Sequence, residues 1–401
     1  MLKLLTAGES HGPALTAIIE GFPANFPVDV EKINHELKRR QGGYGRGGRM
    51  KIESDRVQVL SGIRGGKTLG SPITLMIHNR DWENWKDYMD PFNPPVDSSR
   101  TPVCPRPGHA DMAGALKYNQ EDFRSILERA SARETAARTA AGALAKQLLS
   151  LFNVSILSRV IQVGRVRSPE SEFPLDKIQQ IEASPVRCSD PEISREMIKA
   201  IEKAKQEGDT LGGVFEITAA GLPPGLGSHV QWDRRLDARL AAALMSVPAI
   251  KGVEIGEAFN TALTKGSEYH DEIYYNSSRG IYRTTNHAGG LEGGITNGEN
   301  IVIRAFMKPI PTLSTPLRTI HWQTRKATTA FRERSDVCAV PAASVVGENV
   351  IAWELAKSFL EKFAGDVVED IIHSYNHYAE RLRKHGFKLK PIQRDGSFVS
   401  L

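Results

Sequence analysis

Apolar residues cluster from Leu2 to Thr6 and again from Ala14 to Ile19, with a glycine- and proline-bounded turn between them, which predicts two strands. Asp29 then caps a predicted helix whose Ile33 and Leu37 share one side before it runs into Lys38, Arg39 and Arg40. Alternation of Met50, Ile52, Val57 and Val59 around Ser54-Asp55 predicts a β-hairpin, and Ile73 to Ile77 a further strand. Residues 79–105 carry no regular pattern; loops of that length are often lids or binding loops. From Ser131 to Ser150 the chain reads SARETAARTAAGALAKQLLS, with Ser131 and Glu134 in capping-box spacing. An interior of alanine with Leu144, Leu148 and Leu149 lets neighbours approach on several sides, so a buried central helix is predicted.

Beyond it the pattern predicts a helix from Pro191 to Glu207 stopped by Gly208, a strand from Gly213 to Ala219 and a helix from Arg234 to Met245. Strands at Gly252 to Gly256 and Asn300 to Met307 follow, then helical patterning from Ser344 to about Leu382. Strands and helices mixed without regular β-α-β alternation favour an α+β fold over a doubly wound one. No G-x-G-x-x-G opens a helix after a strand, which argues against a Rossmann site. Length alone suggests two or three domains, yet no repeat, low-complexity linker or clear boundary is visible.

Composition narrows the class. Hydrophobic residues at 40% and charged residues at 25% describe an ordinary globular chain, and no run approaches the roughly 18 apolar residues of a membrane span. The start MLKLLTAGESHG lacks a signal-peptide pattern, so a cytoplasmic protein without membrane attachment is expected. Cys104, Cys188 and Cys338 form no C-x-x-C pair, so neither a disulfide framework nor a zinc site is expected. The net charge of +5 is compatible with nucleic acid, a membrane surface or small anions, and its distribution is the better guide.

Four segments concentrate the chemistry. In TAGESHGPAL, His11 is either a turn residue or a working imidazole. Between Lys38 and Lys51 there are six basic residues and no acidic one, spaced by glycines that let an anion approach the backbone. That loop reads as a small-anion site, as a solvated loop, or as an RGG-like nucleic-acid segment; the last usually lies in disordered tails. In PRPGHADMAG, two prolines and a glycine hold Arg106 and His109 on a stiff turn. In ERASARETAAR, Arg133 occupies a helix first turn, where the dipole disfavours a cation unless an anion or Glu134 offsets it. KPIPTL and RERSDVCAVPA add Lys308 and a pairing of Arg334 with Asp336. Physics alone supports a site for a polyanionic small molecule with general-acid capacity.

The ordered set TAGESHG, GYGRGGRM, LSGIRGGKTLGSPI, RPGHAD, ERASARETAAR, DTLGG, AIKGVEIG, NHAGGLEGG and RSDVCAVPA, from residue 1 to about 350, closely resembles the chorismate synthase family. The resemblance implies loss of phosphate and the C6 proton from 5-enolpyruvylshikimate 3-phosphate, with reduced FMN required. It also implies a single-domain β-α-β sandwich over 1–401, central helices between antiparallel sheets, a homotetramer, and a tail from about 385 that is poorly constrained. By match to the family motifs, Arg40, Arg46, Arg49, Arg106 and Arg133 surround substrate or flavin anions. Arg129, Ala130, Ser131, Pro248, Ala249, Gly293, Lys308, Pro309, Ile310, Pro311, Thr312 and Arg334 fall at FMN positions. Pro248 stands where a polar residue is often found, which leaves a backbone contact there.

The same resemblance makes His11 the acid toward the leaving phosphate, His109 the residue beside flavin N1, and Asp336 a proton acceptor on the N5 side. Gly8 and Gly12 are then expected to bring the backbone close to the phosphate. Arg40 and Arg46 also match positions assigned to NADPH in some members. With no extra dinucleotide domain in view, FMN reduced externally by a separate flavin reductase is the expectation. A nucleic-acid-binding protein and a flavoprotein of different chemistry are the rival readings.

Overall fold

The computed structural model describes residues 2–48, 53–93, 100–169, 173–333, 335–389 and 392. Its first sheet contains β1 (Lys3–Ala7), β2 (Ala14–Glu20), β3 (Val57–Ser61) and β4 (Ile73–His78) in the order β1-β2-β4-β3. All its pairings are antiparallel; Lys3 faces Glu20, and Ala14 faces His78. The second sheet contains β5 (Ser155–Val163), β6 (Val166–Arg167), β7 (Gly213–Ala220), β8 (Ile250–Ile255) and β9 (Ile301–Met307) in the antiparallel order β8-β9-β7-β5-β6.

Helices fill the space between the sheets. α1 (Val30–Gln41) is capped by the Asp29 side chain, which accepts from the N–H groups of Glu31 and Lys32. α2 (Asp111–Tyr118) and α3 (Arg124–Ala130) lead into α4 (Thr135–Ser150), which packs on the first sheet and on α7 (Val340–Lys362). α5 (Pro191–Glu207) ends at Gly208 in the left-handed conformation, α6 (Leu236–Met245) covers β8, and α8 (Val368–Lys384) closes the described chain. The architecture is α+β, helices sandwiched between antiparallel sheets, as the resemblance implies.

The alanine-rich helix is as buried as its composition predicts: Ala136, Ala137, Ala140, Ala141 and Leu144 are all at or below 1% exposure. It comes close to α7 at Gly142, where an added Cβ would lie 2.2 Å from the Asn349 carbonyl oxygen. One hydrophobic core runs continuously from Leu2 to Ala379.

Four local expectations need correction. Among the described residues no turn forms at Ser54-Asp55: β3 starts only at Val57 and pairs with β4, and Asp55 is drawn inward by two arginines. Met50 and Ile52 lie outside the described residues. The central α-helix starts at Thr135 after a short 3-10 turn, Ala132–Glu134; Ser131 caps that turn through Arg133 N, while Glu134 pairs with Arg138. The C-terminal helical stretch is two helices separated at 363–367. β5 escapes the periodicity reading because Ser158 and Arg159, both buried, break its apolar run.

Candidate active site

The β1–β2 turn carries His11, and its shape follows from internal packing. Gly8, at φ +107°, sits where a Cβ would meet the Ala14 carbonyl oxygen at 2.3 Å, and a Cβ on Gly12 would meet the Glu9 carboxylate at 3.3 Å. Gly8 is therefore required by the tightness of the turn itself. Asn79, at the end of β4, locks the turn by donating its amide to the carbonyls of Glu9 and Gly12.

The turn is also tied to α3. His11 Nδ1 lies 2.7 Å from Glu128 Oε1, and the His11 N–H donates to Glu128 Oε2 at 2.7 Å. Trp85 stacks on the imidazole with ring centroids 4.1 Å apart. Burial pushes the Glu128 carboxyl up, but the hydrogen bonds and charge of His11, with Arg124, outweigh it and hold the group below the ordinary range.

A layer of buried arginine adjoins this turn. Arg133 Nε donates to Asn79 Oδ1 at 2.9 Å and its Nη1 pairs with Asp55. Arg40 donates to Thr135 Oγ1 and the Ala132 carbonyl and faces Asp55 at 3.4 Å. Burial, then the like charges of Arg133 and Arg46, bring the Arg40 guanidinium down to about 10 against the pull of Asp55. The cation in the helix first turn thus has an internal anion in Asp55 rather than in Glu134, which pairs with Arg138. Arg39 turns away into Glu36, Glu182 and Glu348.

Another part of the wall is built on the PRPGHAD turn. His109 Nδ1 lies 2.5 Å from Asp111 Oδ1, while Arg106 Nε and its backbone N–H both donate to Asp111 Oδ2. Burial raises the Asp111 carboxyl, yet hydrogen bonds from His109 and Arg106 and their charges hold it well below the ordinary range. Arg106 Nη1 reaches Thr312 Oγ1 at 3.0 Å, and Lys308 Nζ donates to the Gly108 carbonyl, fastening KPIPT to this turn. Burial, helped by Lys251, lowers the Lys308 ammonium. Asp336 pairs with Arg46 at 2.9 Å and accepts the Gly47 N–H.

These walls enclose a cavity of about 1000 Å³. Of the arginines that line it, Arg133 turns Nη2 toward Glu53 at 3.7 Å, and Arg124 Nε is buried without a hydrogen-bond partner among the described residues. Buried donors of that kind are costly unless something else accepts from them.

The chorismate synthase family profile matches residues 2–360. Chorismate synthase of Alkaliphilus metalliredigens is 56% identical over 379 residues, covering 94% of this chain and 99% of its own. That of Desulforudis audaxviator is 55% identical, covering 96% and 98%. A solved structure described as the crystal structure of chorismate synthase superposes with a TM-score of 0.77 at 44% identity, covering 96% of this chain and 98% of its own. The chain belongs to the chorismate synthase family. It is accordingly a lyase that converts 5-enolpyruvylshikimate 3-phosphate to chorismate, the last step of the shikimate pathway. Members of the chorismate synthase family depend on reduced FMN. No helix among the described residues is long and apolar enough to cross a membrane.

Of the residues singled out by resemblance to chorismate synthase, His11, His109, Asp336, Arg40, Arg46, Arg106 and Arg133 all line the cavity. So do Ala130, Ser131, Pro248, Ala249, Lys308, Ile310, Pro311 and Thr312. Pro309 is not in the lining. Arg129 reaches away from it, donating to the carbonyls of Thr6 and Gly8, and Gly293 sits in a separate turn between two short strands. Arg49 and Arg334 lie outside the described residues. The sequence reading missed Trp85, Arg100, Arg124 and Glu128. Arg100 and Arg124 place their guanidinium groups 4.8 and 4.9 Å from the Trp85 ring. For Trp85 and Arg100 the signal was the aromatic, charged composition of 79–105, and Trp85 itself packs against His11; Arg124 and Glu128 left none.

Proposed function

We propose that the cavity binds 5-enolpyruvylshikimate 3-phosphate against reduced FMN, with His11, His109 and Asp336 as its proton-handling groups. The observation that carries this reading is the pairing of each histidine with a buried carboxylate on a cavity wall that also carries Arg40, Arg106, Arg124 and Arg133. A substrate with one phosphate and two carboxylates matches a lining so rich in guanidinium groups.

The residues present fit a flavin. Ligand pockets usually enclose roughly 300–1,000 Å³, so this cavity has room for an isoalloxazine with a small substrate beside it. Ser131, Lys308 and Thr312 bring polar side chains to the lining, beside Ala130, Ala249 and Pro311. Ala249 is held at φ +70°, an uncommon conformation for alanine of the kind that gathers at ligand sites. When bound, reduced FMN supplies electron density as phosphate departs.

The chain's own part is to bind and to move protons. Arg40, Arg133 and Arg106, each fixed by an internal carboxylate, present charge without reorganisation. His11 gives its proton to the departing phosphate oxygen, and His109, oriented by Asp111, donates or stabilises charge near the flavin. Asp336, held by Arg46 and the Gly47 N–H, stands as an acceptor. Arg129, Gly293, Pro309, Arg49 and Arg334 belong to the flavin side of the proposal by family position alone. A single domain over 1–401 is part of the reading, supported by the continuous core. So is a homotetramer, supported by the apolar outer face of the first sheet, where Leu5 and Leu60 are 67% and 51% exposed. The cytoplasm is the expected compartment.

Two further elements concern partners. Arg39, Arg40 and Arg46 are all committed to internal pairs, which favours small anions over nucleic acid as the ligand of the basic loop. Reduction of FMN by a separate reductase rather than by NADPH bound here completes the reading. Anaerobic turnover tests it: activity is expected with chemically reduced FMN and not with NADPH plus oxidised FMN. Near wild-type turnover of both His11→Ala and His109→Ala at saturating reduced FMN would remove the acid assignments.

A further inference from the structure

We infer that Glu128 is the positioning residue of His11: its two carboxylate oxygens bind the His11 N–H and Nδ1, so that only Nε2 is left to face the cavity. This rests on the reading of His11 as the acid toward the departing phosphate. Three contacts stitch residue 128 to the turn, two to His11 at 2.7 Å each and one from the Ser10 N–H to the Glu128 carbonyl at 3.1 Å. The ring plane is set independently by Trp85, 28° from parallel. With its plane and one nitrogen fixed, the imidazole has little freedom to turn.

The charge state follows from the surroundings. Glu128 is 2% exposed, and Arg124 Nη1 stands 3.4 Å from the oxygen that meets His11 Nδ1. Arg124 in turn pairs with Glu333 at 2.7 Å. Glu9 in its own turn and Arg100, 4.8 Å from the centre of the Trp85 ring, are further charged groups near His11. An ionised carboxylate only accepts, so Nδ1 carries hydrogen in both forms of the ring. In the imidazolium the second hydrogen is then on Nε2. When it passes to the phosphate oxygen, the ring becomes the neutral Nδ1–H tautomer and the phosphate leaves one proton richer. Glu128 thereby favours the acid form and aims it, the arrangement by which a carboxylate commonly sets histidine orientation.

Glutamine at 128 reverses the pattern. Its oxygen can accept the buried His11 N–H, but its NH2 group must then meet Nδ1 and donate to it, which moves the hydrogen of the neutral ring to Nε2. Imidazole 15N shifts of histidine-labelled protein against pH read this directly, with the His11 signals assigned by their loss in His11→Asn. In wild type, hydrogen is expected on Nδ1 above the titration. In Glu128→Gln it moves to Nε2. Turnover with reduced FMN falls about tenfold to a hundredfold, while Glu128→Asp, which keeps the charge, retains the wild-type tautomer. Hydrogen on Nε2 in the neutral wild-type ring overturns the inference whether or not any variant folds, and so does an unchanged tautomer in Glu128→Gln. Retained turnover in His11→Ala instead removes the acid reading and leaves the Glu128 contact intact.

Discussion

Arg133 Nη1 lies 2.7 and 2.8 Å from the two carboxylate oxygens of Asp55, and neither side chain is more than 3% exposed. Asp55 also faces Arg40, so one carboxylate balances two guanidinium groups at the cavity. Removing it leaves Arg40 without its carboxylate and Arg133 with Glu53 alone, 3.7 Å away. Asp55→Asn is expected to lower unfolding free energy by about 3–5 kcal/mol and to raise KM for the phosphorylated substrate as Arg40 and Arg133 separate. Urea unfolding with steady-state kinetics checks it; a stable variant with unchanged KM would mean that Asp55 does not hold the two arginines.

That relationship also marks how far sequence could reach. α1 and α5 were legible because Asp29 and Gly208 end them with local chemistry and their apolar positions repeat at helical spacing. The cavity's own histidines and most of its arginines were legible as candidates by composition and resemblance. Asp55 was not: in isolation Ser54-Asp55 is turn chemistry, and only residues 15 and 78 positions away make it a buried counterion. Glu128 within ILERA reads as a helix-surface carboxylate until the β1–β2 turn is laid upon it. Long-range partners of this kind leave no periodic trace.

The stability of the fold should depend on pH through its buried carboxylates. Glu348 sits among Arg39, Lys146 and Arg187; burial raises its carboxyl, but those three cations hold it well below the ordinary range. Glu182, Glu128 and Asp111 are depressed in the same direction. A group depressed in the native state stabilises fully above its unfolded value, about 4.3 for glutamate, and that stabilisation is lost as pH falls through the native value. Denaturant midpoints are therefore expected to hold above pH 5 and drop steadily below about pH 4.3. Glu348→Gln should be less stable at pH 7 and show a shallower acid slope; equal slopes would argue against Glu348 as a contributor.

Gly142 tests the central packing. A methyl group there meets the Asn349 carbonyl oxygen at 2.2 Å, and the obstacle is the backbone of α7 rather than a movable side chain. On an exposed helix Gly→Ala gains about 1 kcal/mol. Here the overlap reverses the sign, and Gly142→Ala is expected to cost about 1–3 kcal/mol. A rise in melting temperature would show that α4 and α7 separate more easily than their contact suggests.

Trp85 joins the 79–105 segment to the chemistry. Its ring stacks on His11 and lies under Arg100 and Arg124, so the indole both fixes the imidazole plane and screens it from water. Contacts of this type contribute roughly 0.5–1 kcal/mol each at partly exposed positions, too little to govern folding but enough to govern alignment. Trp85→Ala is thus expected to change unfolding free energy by about 1 kcal/mol while lowering turnover about tenfold or more, because small misplacements at a reacting centre are amplified. Trp85→Phe, which keeps a stacking face, should recover most of the loss. If both variants lost activity only in proportion to lost stability, Trp85 would be a structural residue, and the orientation of His11 would rest on Glu128 alone.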